Sequence, residues 1–174
     1  MKTFSAIIIL SFCLLATTAI NAQDKSKRPS PPATVSSTLK SGATITINYS
    51  QPSLKGRTIG KDVEPMKGQV WRMGANEATV FETSKDVTIE GKPLPAGKYS
   101  LWGVSDGKNF TLIFNKAWNI WGTMYAQNKE QDLLTVPVKI EKAKQSHEKL
   151  TYTIDKKGKV DLVWGTMSIP FKVK

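Results

Sequence analysis

The chain has 174 residues, with 25 Lys or Arg against 14 Asp or Glu and a net charge of +11 at pH 7. It contains one cysteine, Cys13, and one histidine, His147. That inventory excludes an internal disulfide and the usual Cys or His zinc site, so neither a metal nor a cofactor is expected.

Residues Met1 to Ala22 read as an export leader. Lys2 supplies a basic start, Ile7 to Ala16 an apolar run too short to span a bilayer, and Ala22 a small residue at the expected cleavage edge. The expected destination is periplasmic or extracellular. Without Lys2, 24 basic residues face 14 acidic ones, a net charge of +10. Such a field favours anionic partners, but the lysines are scattered and read as solubility charge. No recognition helix or ribonucleoprotein motif is present and export is expected, so no nucleic-acid role is expected. No later apolar run is long enough for a membrane-spanning helix.

Residues 23–32 carry Pro29, Pro31 and Pro32 and read as a flexible Pro/Lys-rich linker. The folded domain is expected over 33–174. Val35, Ser37 and Leu39 alternate before Ser41-Gly42, and Ile45, Ile47 and Tyr49 alternate after it, which predicts a β-hairpin. Ser50 to Lys67 is a long connection rich in Pro, Gly and Lys. It leads into Gly68 to Thr79, which holds Trp71, Arg72, Gly74, Asn76 and Glu77 and does not alternate.

Strands resume at Ala78–Glu82 and around Val87 and Ile89. In Leu94-Pro95-Ala96-Gly97-Lys98-Tyr99, a Pro/Gly corner delivers Tyr99 to the next strand, where its hydroxyl can bond back to the corner. Phe110 to Phe114 is a further strand. Asn115 to Gln131 is a second irregular segment, with room for one helical turn and with Trp118 and Trp121. Leu134 to Ile140 alternates, and Pro137 suggests an edge position. His147 falls in a polar connection and reads as a surface loop residue. Alternation returns at Leu150, Tyr152 and Ile154, then from Val160 to Val173. About nine short strands without helical periodicity predict an all-β, single-domain antiparallel β-sandwich, jelly-roll or Greek-key-like.

The candidate ligand-binding residues are Arg57, Trp71, Arg72, Asn76 and Glu77, with Asn115 and Trp121 from the second irregular segment. Only three arginines, Arg28, Arg57 and Arg72, stand beside 22 lysines, and two of them fall around the irregular stretch. A guanidinium offers a planar fork for carboxylates, phosphates or carbonyls, while tryptophan faces accept apolar sugar or side-chain surface. The same groups could instead pin loops. A hydrolase would need Glu77 and a second carboxylate, with Asp62, Glu64, Asp132 and Glu148 as the available acids. No catalytic residue is assigned. Binding of a glycan, peptide or other polar or anionic ligand is the favoured function; a hydrolase or a purely structural role is the alternative.

Five ordered motifs carry a family resemblance: Asn48-Tyr49-Ser50 with Pro52-Ser53, Lys55-Gly56-Arg57, Val70-Trp71-Arg72 with Gly74-Ala75-Asn76-Glu77-Ala78-Thr79, Leu94-Pro95-Ala96-Gly97-Lys98-Tyr99, and Ile113-Phe114-Asn115-Lys116 with Trp121-Gly122. Together they resemble the exported bacterial family catalogued as domain of unknown function 2911, over about residues 33–174. The chain departs from that pattern at Met66-Lys67-Gly68-Gln69, Phe110 and Thr135. The resemblance implies an exported, single-domain protein and supplies no established site residues.

Overall fold

The computed structural model describes residues 24–174; the expected leader, with Cys13, lies outside them. The chain forms an all-β antiparallel sandwich. One layer is built from β1 (Pro32–Thr38), β2 (Thr44–Ser50), β3 (Val70–Trp71), β4 (Thr79–Thr83), β7 (Gly97–Ser105), β8 (Asn109–Asn115) and β9 (Asp132–Lys139). Its order is β1-β2-β4-β7-β8-β9, with β3 also paired to β7. Successive strands of the path are neighbours, so the sheet is wired as a meander.

The second layer pairs β5 (Val87–Ile89) with β6 (Lys92–Leu94) and β10 (Glu141–Ile154) with β11 (Lys159–Lys172). The two hairpins join where Ile89 bridges Val173 and the Thr88 N–H donates to the Lys174 carbonyl at 2.7 Å.

Alternation explains the strands. Ile45 and Ile47 of β2 point inward and are fully buried, while Thr44, Thr46 and Asn48 point outward. The core between the layers is aromatic. Trp71 stacks on Trp164 at 6.2 Å and 19°, and Phe114 meets Phe81 and Phe171 edge-on. Each fully buried side chain of this size contributes roughly 1.5–3 kcal/mol relative to exposure. The Tyr99 hydroxyl donates to the Pro95 carbonyl at 2.9 Å, closing the expected corner. Pro137 lies on β9, an edge strand as expected.

One expectation is corrected. His147 is not in a loop but inside the long strand β10, half-buried and opposite Gly165. The first half of β10 is rich in Lys, Gln and Glu, so it lacks the apolar alternation that marks a strand in sequence. Backbone pairing with β11 holds it there, with register breaks on either side of His147.

Candidate functional site

The loss of alternation after Trp71 has a topological cause. Trp71 pairs with Gly103 of β7, and Thr79 pairs with Leu101 of the same strand. Residues 72–78 therefore stand opposite the single residue Trp102. The chain leaves the sheet after β3, makes an excursion, and rejoins the same edge of β7 as β4. Met73 and Asn76 take left-handed backbone, at φ 52° and 59°, which lets the loop reverse in so few residues.

The inner side of the excursion is anchored to the core. Met73 is fully buried, and its carbonyl accepts from the hydroxyls of Tyr152 at 2.8 Å and Thr79 at 3.2 Å. The Trp71 indole N–H donates to the Gly74 carbonyl at 3.2 Å. Trp71 is only 2% exposed, so its ring is a core element and not a surface for a ligand.

The outer side is covered by the second irregular segment. Glu77 bridges Trp121, the Ala78 N–H donates to the Ile120 carbonyl, and the Gly122 N–H donates to the Asn76 carbonyl. Beneath this segment Ala78, Trp102 and Ile113 form a satellite cluster, with Ile120 and Tyr125 packed on it. Within this segment helical structure is confined to α1 (Tyr125–Asn128) and a 3-10 turn at Lys129–Gln131. Trp118, Trp121 and Met124 stay outside, at 41%, 46% and 42% exposed. The Lys98 ammonium lies 5.1 Å from the centre of the Trp118 ring, within cation–π range.

Arg72 lies flat along this junction. One terminal nitrogen donates to the Gly122 carbonyl at 3.3 Å, and its Nε–H is buried without an acceptor. It does not pair with Glu77. The Glu77 carboxylate is held instead by Lys25 at 3.0 Å and by Arg28, whose Nη1 spans both oxygens at 2.9 and 3.1 Å. Residues 24–31 thus lie against the excursion: Asp24 caps a short 3-10 turn at Lys25–Lys27, and the Asn76 amide donates to the Ser30 carbonyl at 2.9 Å. Sequence reasoning placed Arg28 in the linker. The available signal was the rarity of arginine in so lysine-rich a chain.

Burial raises the Glu77 pKa, but its own backbone N–H and the two cations outweigh that and hold the carboxyl down at about 2, below the ordinary 4.5. The stability this contributes is complete above pH 4.5 and is lost as pH falls towards 2. A carbon-detected NMR titration of the Glu77 carboxyl should give a midpoint near 2, moving up towards 4.5 when Lys25 and Arg28 are both changed to Ala. A wild-type midpoint at the ordinary value would mean that residues 24–31 do not grip Glu77 in solution.

The remaining candidates separate. Arg57 donates to the carbonyls of Leu54 and Ser53 at 2.9 and 2.7 Å, which closes its own loop. Asn115 is fully buried: its amide N–H groups donate to the Asn128 carbonyl and Asp132, and its oxygen accepts from the Ala117 N–H. Both act as local scaffolding. Arg72, Asn76, Glu77 and Trp121 converge at one junction.

The other acids considered for a hydrolytic pair are spent on backbone or side-chain anchoring. Asp62 accepts from the Thr58 N–H, Glu64 from Met66, Glu148 from Lys55, and Asp132 from Asn115 and Tyr125. A carboxyl held near 2 also has the wrong poise for a general acid at neutral pH. Among the described residues no cluster of three or more His, Cys, Asp or Glu could hold a metal ion, and no helix is long and apolar enough to cross a membrane.

The cleft beside Glu77, lined also by Lys25, Asn48 and Tyr49, is small at about 180 Å³. A larger cleft of about 540 Å³ lies by Pro65, Lys67 and Met167 and shares no residue with the excursion. The junction carries the concentration of aromatic, guanidinium and carboxylate groups; the larger cleft is lined by Lys67, Glu141 and Lys142 but by no aromatic side chain and no arginine, so volume alone does not select it.

A family model described as "Protein of unknown function (DUF2911)" matches residues 30–173. No curated protein and no solved structure matches the chain.

Proposed function

The chain belongs to the DUF2911 family of proteins of unknown function, and from its own residues we propose that it is an exported β-sandwich binding module for a polar ligand, a glycan or a peptide. The observation that carries this reading is the placement of two half-exposed tryptophans, Trp118 and Trp121, on the segment against which Arg72 lies with an unsatisfied Nε–H. A flat aromatic surface takes the apolar face of a sugar ring or side chain. A guanidinium beside it takes hydroxyls, carbonyls or negative charge. The ligand lies across Trp121 and Trp118 and draws on the second terminal nitrogen of Arg72, which makes no internal bond, while the Asn76 and Glu77 side chains hold residues 24–31 beside it.

Glycan and peptide arrays probed with wild type, Arg72→Ala and Trp121→Ala test this. Each variant should bind the wild-type hits at least about tenfold more weakly, a change of about 1.4 kcal/mol. Equal binding by all three proteins overturns the reading. Export rests on the leader pattern of Met1 to Ala22. Mass analysis of the protein recovered outside the cytoplasm should give a chain starting at Gln23, and retention of the whole chain in the cytoplasm counts against it.

A structural role is the second reading for this junction. It is favoured by the internal bonds of Asn76 and by the grip of Lys25 and Arg28 on Glu77. It does not account for Arg72, whose one bond is long and whose Nε–H has no partner.

A further inference from the structure

We propose that the Asn76–Glu77 corner of the excursion is a recognition site for a basic peptide segment with two cations three residues apart, occupied in the free protein by the chain's own residues 24–31. The site goes beyond the surface at Trp118 and Trp121, since its groups are the Asn76 amide and the Glu77 carboxylate. The occupant shows what the corner recognises. Asp24 caps the 3-10 turn at Lys25–Lys27, accepting from the Ser26 N–H at 3.1 Å and the Ser26 hydroxyl at 2.6 Å. Side chains at i and i+3 of such a turn lie on one side. Lys25 and Arg28 therefore reach the same Glu77 carboxylate, at 3.0 and 2.9 Å. Pro29 keeps Arg28 extended, at φ −67° and ψ 149°. The carbonyls of Ser30 and Pro31 then accept from the Asn76 amide and the Gln51 N–H, both at 2.9 Å.

The receptor side is fixed by the fold and the occupant is removable. Asn76 is held by its left-handed backbone and by the Gly122 N–H on its carbonyl, and Glu77 by its backbone bridge to Trp121. Ala78 and Thr79, next along the chain, are buried. By contrast, none of residues 24–32 is buried, so the segment adds nothing to the core. Its hold consists of ion pairs open to water, which salt screens, and two hydrogen bonds to its carbonyls. Lys25 is 56% exposed where it meets Glu77. Lys25 also lines the cleft of about 180 Å³ with Asn48 and Tyr49, so its departure extends the open face beside Glu77.

The chemistry of the corner selects the partner. An ionised carboxylate only accepts, and its two oxygens have room for several donors. Arg28 Nη1 spans both oxygens while Lys25 takes one of them. The Asn76 amide asks for a carbonyl two residues beyond the second cation, which any peptide supplies from its main chain. A neutral sugar offers neither the cations nor that carbonyl. The chain as a whole is strongly basic, so a cationic peptide finds no general attraction to it, and binding localises to this carboxylate.

The test uses the chain starting at Gln23 with Lys25→Ala and Arg28→Ala together, which empties the corner. The probe is a synthetic peptide copying Asp24 to Ser30, blocked at both ends and added in trans. NMR should show saturable shifts of the Glu77 carboxyl carbon and the Asn76 side-chain amide. The wild-type chain should need at least about threefold more peptide for the same shifts, because its own segment competes at an effective concentration on the order of mM. A probe with Ala at both cation positions, or Glu77→Gln added to the emptied chain with an unchanged circular dichroism spectrum, should weaken binding at least about tenfold. No shift up to about 10 mM peptide, several times that effective concentration, overturns the proposal. So does equal binding by the wild-type and emptied chains, or by the two probes. These readouts are separate from the Arg72→Ala and Trp121→Ala arrays, so failure here leaves the tryptophan surface standing, and the reverse.

Discussion

Trp71→Ala should lower the melting temperature by on the order of 10 °C. Removing a buried tryptophan costs about 3–5 kcal/mol, and in a domain of this size each kcal/mol shifts the midpoint by roughly 2–4 °C. The loss is compound here. The ring stacks on Trp164 and meets Phe110 edge-on at 6.4 Å, and its N–H fixes the Gly74 carbonyl at the start of the excursion. Truncation therefore opens a cavity and frees the loop together. Trp121→Ala provides the contrast. Its ring is 46% exposed and its bridge to Glu77 is made by backbone, so the change stays within roughly 2 °C. Thermal melts followed by circular dichroism separate the two, and an unchanged midpoint for Trp71→Ala would contradict its place in the core.

The strands were legible because a two-sided sheet forces period-two alternation on its sequence: Ile45, Ile47 and Tyr49 are enough to orient β2. The excursion was legible only as a failure of that rule. Its cause, two stretches of chain sharing one edge of β7, lies in pairing with residues roughly twenty to thirty positions away, and local pattern carries no trace of it. Residue type also misled at Asn115 and Arg57. The amide and guanidinium that suit them to a ligand suit them equally to backbone carbonyls at Asn128, Ser53 and Leu54. Which acceptor is met depends on the fold. Glu77 shows the converse. Its partners Lys25 and Arg28 lie about fifty residues upstream in a segment with no core of its own, so only the folded chain reveals that the carboxylate is already occupied.

Gly122→Ala should destabilise the protein by about 2–3 kcal/mol, at the upper end of ordinary overpacking, with a fall of roughly 5–10 °C in melting temperature. Backbone strain is not the reason, since Gly122 is not among the positive-φ residues. The obstacle is space: a β-carbon there would lie 2.0 Å from Arg72 Cδ, 2.7 Å from its Nε and 2.4 Å from the Asn76 carbonyl oxygen. The arginine can move, but the carbonyl belongs to backbone that receives the Gly122 N–H at 3.1 Å. Relief from one side only is therefore expected. Arg72→Ala alone should cost less than about 1 kcal/mol, because it gives up one long bond and also removes a buried N–H that had no acceptor. The double variant should then be more stable than the sum of the single effects predicts, by about 1 kcal/mol, as expected for side chains that share one space. Additive effects would mean that Arg72 does not lie on Gly122. Tolerance of Gly122→Ala would mean that the excursion and the tryptophan segment are not in contact, and the surface proposed for the ligand would lose its support.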